Sequence, residues 1–159
     1  MIDVFLLLGT NLGEREIYLQ QAVQHIVQEV GPVIKSSSVY ETQSWGKTDE
    51  PDYLNQVILL QTELPPLALL TRVLHIESIL GRVRKERWGA RVIDIDVLFY
   101  GDQVINEPQL QVPHPRLHER RFTLEPLAEI APELIHPVLN NNVLSIKNAL
   151  KDTLIVKKL

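Results

Sequence analysis

The sequence has no cysteine. Disulfides, thiolate nucleophiles and cysteine-held metals are therefore excluded, and a cytoplasmic location is the expectation. No apolar run approaches the roughly 18 residues that mark a membrane-spanning helix, so none is expected. The opening run MIDVFLLLGTNLG lacks a basic leader region and reads as a first strand, not as a signal peptide. An excess of positive charge is also missing. Sixteen Lys and Arg against twenty Asp and Glu give a net charge of −4, which argues against a nonspecific nucleic-acid binder. No internal repeat, low-complexity tract or linker interrupts the 159 residues, so a single domain over 1–159 is expected. With 45% hydrophobic and 23% charged residues, such a chain can bury a substantial core.

Against this acidic background one stretch stands apart, RVRKERWGARVIDIDVLFY at 82–100. Its first half carries Arg82, Arg84, Lys85, Arg87 and Arg91 with one indole, Trp88. Its second half is apolar and β-branched except for Asp94 and Asp96. Side chains alternate faces along a strand. Ile93, Ile95, Val97 and Phe99 then form one apolar face, and the two aspartates share the other, roughly 6.6 Å apart along the strand. Buried carboxylates need compensation. Mg²⁺ ions roughly 3.5–4 Å apart would supply it, and the basic segment suits a polyphosphate. Taken singly, each half has a bland reading as a solvated edge or a solvated loop. Their direct succession is what raises the functional one.

The remaining chain supplies a scaffold. Residues 2–8 read as a buried strand, followed by a Gly9–Gly13 turn in which Asn11 and Glu14 resemble a capping box. That turn lacks the lysine of a phosphate-binding loop and is read as structural. Leu19, Val23, Ile26, Val27 and Val30 follow at helical spacing up to Gly31-Pro32. A strand is expected at 33–40, a long polar loop at 41–52 and a strand at 53–62 with Asn55 among its apolar residues. Pro65-Pro66 opens a second helix with a stripe of Leu67, Leu70, Val73, Leu74 and Leu80; Glu77 lies close to it. After the aspartate strand come a turn, a short strand at 103–105 and the proline-rich VPHPR run, read as neither helix nor strand, in which His114 sits between two prolines. Helices at 122–130 and 143–150 and an edge strand at 153–156 complete the reading. The order β-α-β-β-α-β is that of ferredoxin-like folds. The expected architecture is α+β: a central antiparallel sheet, the first two helices on one face, and a C-terminal extension over part of the other.

The run Arg87-Trp88-Gly89-Ala90-Arg91-Val92-Ile93-Asp94-Ile95-Asp96 resembles the signature of the 6-hydroxymethyl-7,8-dihydropterin pyrophosphokinases of folate biosynthesis. The likeness extends over most of the chain, through GTNLG at 9–13, SVYET at 38–42, PDYLN at 51–55, GRVR at 81–84, VPHPR at 112–116, Arg120, Phe122 and PLAEIAP at 126–132. It implies a three-layer α/β/α form of the ferredoxin-like fold, ATP as co-substrate, two Mg²⁺ ions, and transfer of diphosphate to the pterin hydroxymethyl group with release of AMP. By the same resemblance, Asp94 and Asp96 hold the metals, with Asp94 also at the pterin. Arg82, Arg84 and Arg91 act in catalysis. Glu77, Arg84, Trp88, Arg91, His114 and Arg120 serve the nucleotide and its phosphates. Thr42, Trp45, Tyr53, Asn55 and Phe122 form the pterin site, with Phe122 stacking on the ring. The implied partners are small molecules, a pterin and ATP, without nucleic acid or membrane, and a monomer is expected.

Chemistry and resemblance agree, because phosphoryl transfer depends on positioning and charge neutralisation more than on covalent catalysis. Four departures are visible. Thr10 replaces a serine, Gln43 and Ser44 stand where proline is frequent, Leu74 stands where some members have glutamine, and Pro115 replaces a tyrosine. The rival readings are another Asp-x-Asp two-metal nucleotidyltransferase and a non-catalytic ferredoxin-like ligand-binding module.

Overall fold

Alternation along one central strand creates two cores. β1 (Ile2–Thr10) lies between β4 (Tyr53–Thr62) and β5 (Asp94–Tyr100), antiparallel to both. Val4, Leu6 and Leu8 point to one side and are buried with Leu54, Ile58 and Leu60. Phe5 and Leu7 point to the other and pack with Val57. α1 (Arg15–Glu29) and α2 (Pro66–Gly81) cover the first side through Leu19, Ala22, Ile26, Leu69, Val73, Ile76 and Leu80. α3 (Arg121–Ile130) and α4 (Val143–Asn148) cover the second through Leu124, Leu127, Val143 and Ile146. Full burial of such a side chain is worth ~1.5–3 kcal/mol, so β1 is the stability centre of both layers. The protein is thus a mixed α/β chain with a central antiparallel sheet. The structure, a computed structural model, describes residues 1–10, 13–42, 52–81, 92–152 and 154–159.

The main sheet runs β10 (Val156–Lys158), β3 (Tyr40–Thr42), β4, β1, β5, and β2 (Val33–Ser36) also pairs with β4. The strand expected at 33–40 is therefore broken into β2 and β3. Ser37 lies at the break, where its amide donates to the Val57 carbonyl and its hydroxyl accepts from the Val57 amide. Gly31 turns the chain from α1 towards β2. A Cβ there would lie 1.9 Å from the Gln61 carbonyl oxygen, so only glycine permits this approach.

Four further readings change. The N-cap of α1 is Glu14, without a side-chain cap, so the helix starts later than an Asn11 capping box requires; Asn11 itself lies outside the described residues. The buried stripe of α2 is Leu69, Val73, Ile76 and Leu80, whereas Leu67 and Leu74 are exposed. A helix apolar on most sides does not fix its own rotation by periodicity. In β5 a register shift opposite Phe5/Leu6 carries Phe99 out of the Ile95–Val97 face. Phe99 joins the second core instead, edge-on to Phe5 at 6.0 Å. The VPHPR run also contributes a strand. β6 (Ile105–Asn106) pairs with β7 (Gln111–Val112), and β8 (Ile135–His136) pairs with β9 (Asn141–Asn142).

Candidate active site

On the α3 side the apolar core stops at Leu7, and the next residue of β1 on that face is Gly9. The cross-strand row there reads Asn55–Gly9–Asp94, and the adjacent row Val57–Leu7–Asp96. The period of two thus puts Asn55, Asp94 and Asp96 on one floor. The missing side chain of Gly9 leaves the space above it open, and a Cβ at that position would meet Asn55 Oδ1 at 3.0 Å.

A cavity of about 230 Å³ lies on this floor. Thr42 and Tyr53 line it from β3 and β4, Arg120 and Phe122 from the start of α3, and Leu154 from the C-terminal segment. Asn55 is buried, and its Nδ2 donates to Thr42 Oγ1 at 3.1 Å. The amide therefore has a fixed orientation and still carries a second donor and an acceptor. The Arg120 guanidinium lies over the Phe122 ring, 5.5 Å from its centroid, a cation–π arrangement. Arg15 donates both to Glu41 Oε2 at 3.2 Å and to the Asp52 carbonyl at 2.6 Å, joining the two stems of segment 43–51.

A second cavity, of about 460 Å³, opens at the edge of β5. It is lined by Leu70, Leu74 and Glu77 of α2, by Pro108–Gln111, and by His114. Asp96 lines both cavities, whereas Asp94 lines the smaller. Glu77 also fixes the strand, because its carboxylate accepts the Ile95 amide hydrogen at 2.7 Å. Thr10 does the same from β1: its hydroxyl donates to the Val92 carbonyl just before β5. The residue that replaces a serine thus has a structural use for its hydroxyl.

His114 is held through its backbone and its ring. Its amide donates to the Leu98 carbonyl at 3.0 Å, and its Nδ1 accepts the Arg116 amide hydrogen at 3.1 Å. The neutral ring consequently carries its proton on Nε2. Burial pushes the His114 pKa below the ordinary histidine value; the nearby Asp96 charge opposes this, and Arg120 and Arg116 reinforce it. At neutral pH the ring is a neutral donor.

Of the sequence-predicted residues, Thr42, Tyr53, Asn55, Asp94, Asp96, Arg120 and Phe122 meet at the smaller cavity, and Glu77, Asp96 and His114 at the larger. Trp45, Arg82, Arg84, Trp88 and Arg91 lie outside the described residues. Gly9, Leu70 and Leu154 line the cavities without having been singled out as site residues. Gly9 could have been found from its register opposite Asn55; Leu154 carries no sequence signal. No group of three or more His, Asp or Glu side chains forms a metal cage among the described residues. Two carboxylates beside a cavity instead suit a hard cation that takes its other ligands from water and a bound substrate.

Residues 5–132 match the family 7,8-dihydro-6-hydroxymethylpterin-pyrophosphokinase (HPPK). The chain belongs to this family. It is similar to the 2-amino-4-hydroxy-6-hydroxymethyldihydropteridine pyrophosphokinase of Methylorubrum extorquens, with 46% identity over 85% of this chain and 86% of that protein. The Bacillus subtilis protein of the same name is 44% identical over 82% of this chain and 78% of its own length. The fold is also that of the HPPK-DHPS protein of Plasmodium falciparum, with a TM-score of 0.72 at 19% identity. This chain spans 43% of that longer chain, which covers 93% of the present one. The HPPK match ends before α4 and β10.

Proposed function

We propose that the protein transfers diphosphate from ATP to the hydroxymethyl group of 6-hydroxymethyl-7,8-dihydropterin, a step of folate biosynthesis. The observation that carries this reading is the position of Asp96, on the wall shared by two cavities, in a member of the HPPK family. The smaller cavity takes the pterin and the larger the nucleotide.

The residues of the chain divide the work. Phe122 and Tyr53 hold a flat heterocycle by its faces. Asn55, oriented by Thr42, hydrogen-bonds to its polar edge. Leu70 and Leu74 offer an apolar side to the adenosine. Arg120 and the Nε2–H of His114 place a positive charge and a hydrogen-bond donor beside the phosphates. Arg82, Arg84 and Arg91 are proposed to add charge there, Trp88 to contact the nucleotide, and Trp45 to offer its backbone to the pterin edge. The pterin hydroxymethyl oxygen attacks the β-phosphorus, the bond from that phosphorus to the α,β-bridging oxygen breaks, AMP leaves, and the hydroxyl proton passes to solvent. Asp94 and Asp96 would hold Mg²⁺, proposed as two ions, which when bound would neutralise phosphate charge and polarise the attacking oxygen.

The finer architecture belongs to the same reading. The antiparallel order of β5, β1, β4 and the β2/β3 pair, with helices on both faces, supports a ferredoxin-like βαββαβ core in an α/β/α arrangement within one domain. A cytoplasmic monomer is proposed with it. No helix among the described residues is long and apolar enough to cross a membrane.

Product analysis tests the reaction. Incubation with ATP, Mg²⁺ and 6-hydroxymethyl-7,8-dihydropterin should yield AMP only when all are present. ADP would indicate a one-phosphate kinase, and release of pyrophosphate a nucleotidyltransferase.

A further inference from the structure

The HPPK match ends at residue 132, yet a wall of the smaller cavity lies beyond it. That wall is Leu154, and it is anchored on both sides. Two residues before it, Asp152 accepts the Leu154 amide hydrogen at 2.8 Å and the Arg121 amide hydrogen at 3.1 Å through its two carboxylate oxygens. The Asp152 carbonyl accepts from Arg121 Nε at 3.2 Å. Arg121 stands between Arg120, the N-cap of α3, and Phe122, so the same clamp ties the C-terminal segment to the two residues at the start of α3 that line the cavity. Arg121 is itself held by Glu125 at 3.0 Å, and Glu125 by Lys147 of α4 at 3.4 Å.

Two residues after Leu154, Val156 begins the pairing of β10 with β3, opposite Thr42. The Leu159 amide closes the strand end on the Val39 carbonyl at 2.9 Å. β3 carries Thr42, which orients Asn55. The C-terminal segment therefore bridges two elements that line the cavity, the start of α3 and β3, and Leu154 occupies the span between the two anchors. An aliphatic side chain there has no hydrogen bond to offer. What it supplies is shape, and a methylene more or less in an apolar pocket changes discrimination by about 10–200-fold.

We infer that Leu154 is a specificity-determining wall residue of the heterocycle cavity, set in place by the Asp152–Arg121 clamp and by β10. The inference rests on the assignment of the smaller cavity to the pterin. Leu154 contacts the face or rim of the heterocycle, and Asp152 is a positioning residue acting through it.

The test is equilibrium titration of the full chain with 6-hydroxymethylpterin in the presence of Mg²⁺ and a non-hydrolysable ATP analogue, and of the analogue alone. Leu154→Ala should weaken pterin binding about tenfold and leave the affinity for the analogue unchanged. Leu154→Met, which refills the space, should restore binding to within about threefold of the wild type. Asp152→Ala should shift pterin affinity in the same direction as Leu154→Ala, with far-UV circular dichroism reporting an intact fold. Pterin affinity unchanged in Leu154→Ala, with a wild-type protein that binds pterin, overturns the inference alone. A wild-type protein that does not bind pterin overturns the functional reading and this inference together.

Discussion

Glu77 of α2 accepts the amide hydrogen of Ile95, the residue between Asp94 and Asp96, at 2.7 Å. β1 is the strand partner of β5 among the described residues, so the opposite edge of β5 needs another acceptor. The helix supplies it and fixes the backbone that aims both carboxylates. Glu77→Ala should destabilise the protein by ~1–3 kcal/mol in urea unfolding and lower turnover about tenfold through loosened positioning. Glu77→Gln, which keeps an acceptor, should recover most of both. Equal losses in the two variants would mean that the charge, not the hydrogen bond, is what matters.

Asp94 and Asp96 should separate in binding. Asp96 borders both cavities and Asp94 the smaller one. Either alanine variant should lose turnover by about a hundredfold or more, since charge neutralisation is the main catalytic need. Titration with a Mg²⁺–ATP analogue should show the larger loss of affinity in Asp96→Ala. A larger loss in Asp94→Ala would contradict the division of the cavities.

Phe122→Ala should weaken pterin binding by about ten- to a hundredfold, from lost stacking and burial together. Nucleotide affinity should stay within about twofold, because Phe122 borders the smaller cavity. Fluorescence titration with each ligand separately would show whether the order is reversed.

Two glycines close to backbone or side chain should behave differently. At Gly31 a Cβ would collide with the Gln61 carbonyl at 1.9 Å, so Gly31→Ala should cost ~3 kcal/mol or more in unfolding measurements. At Gly9 the Cβ would crowd Asn55 Oδ1 at 3.0 Å, and Gly9→Ala should reduce pterin affinity more than stability. Similar effects in both variants would place Gly9 in the scaffold.

His136 gives a pH dependence. It is buried, its Nδ1 accepts the amide hydrogens of Val138 and Leu139, and its pKa is lowered by burial and then by His118. His114 is lowered as well. The unfolded chain therefore binds more protons than the folded one below about pH 6.5, and stability falls as pH falls through that value. Glu129 acts lower: burial opposes its ionisation, but hydrogen bonds from Tyr40 and Ser38 and the Lys158 charge outweigh this and hold its pKa down. Its contribution is lost only in the acid range. The Tm should drop between pH 7.5 and 5.5, and His136→Asn, which keeps an acceptor, should flatten part of that slope. An unchanged slope would remove His136 as a contributor.

Much of this was legible because it depends on short periods. The span 53–62 is a run of largely apolar residues of strand length, and β4 has those bounds. Asp94 and Asp96, two residues apart on a strand, share a cavity as the period requires. What was not legible depends on relations between distant segments. Phe99 changes core because β5 is irregular where it passes Phe5, which the β5 residues alone do not reveal. The rotation of α2 is set by the sheet beneath it, so Leu74 faces the larger cavity instead of the core. Leu154 reaches the site only through Asp152 and β10, and its neighbours in sequence form no motif. Gly9 reads as part of a turn, yet its role is to leave space beside Asn55.

The most direct measurement is a crystal structure of the complex with Mg²⁺, 6-hydroxymethylpterin and an α,β-methylene analogue of ATP. The pterin should lie over Gly9 against Phe122, the adenosine beside Leu70 and Leu74, and the bridging phosphates next to Asp96. A nucleotide base seated over Gly9, or phosphates remote from Asp96, would contradict the assignment of the two cavities.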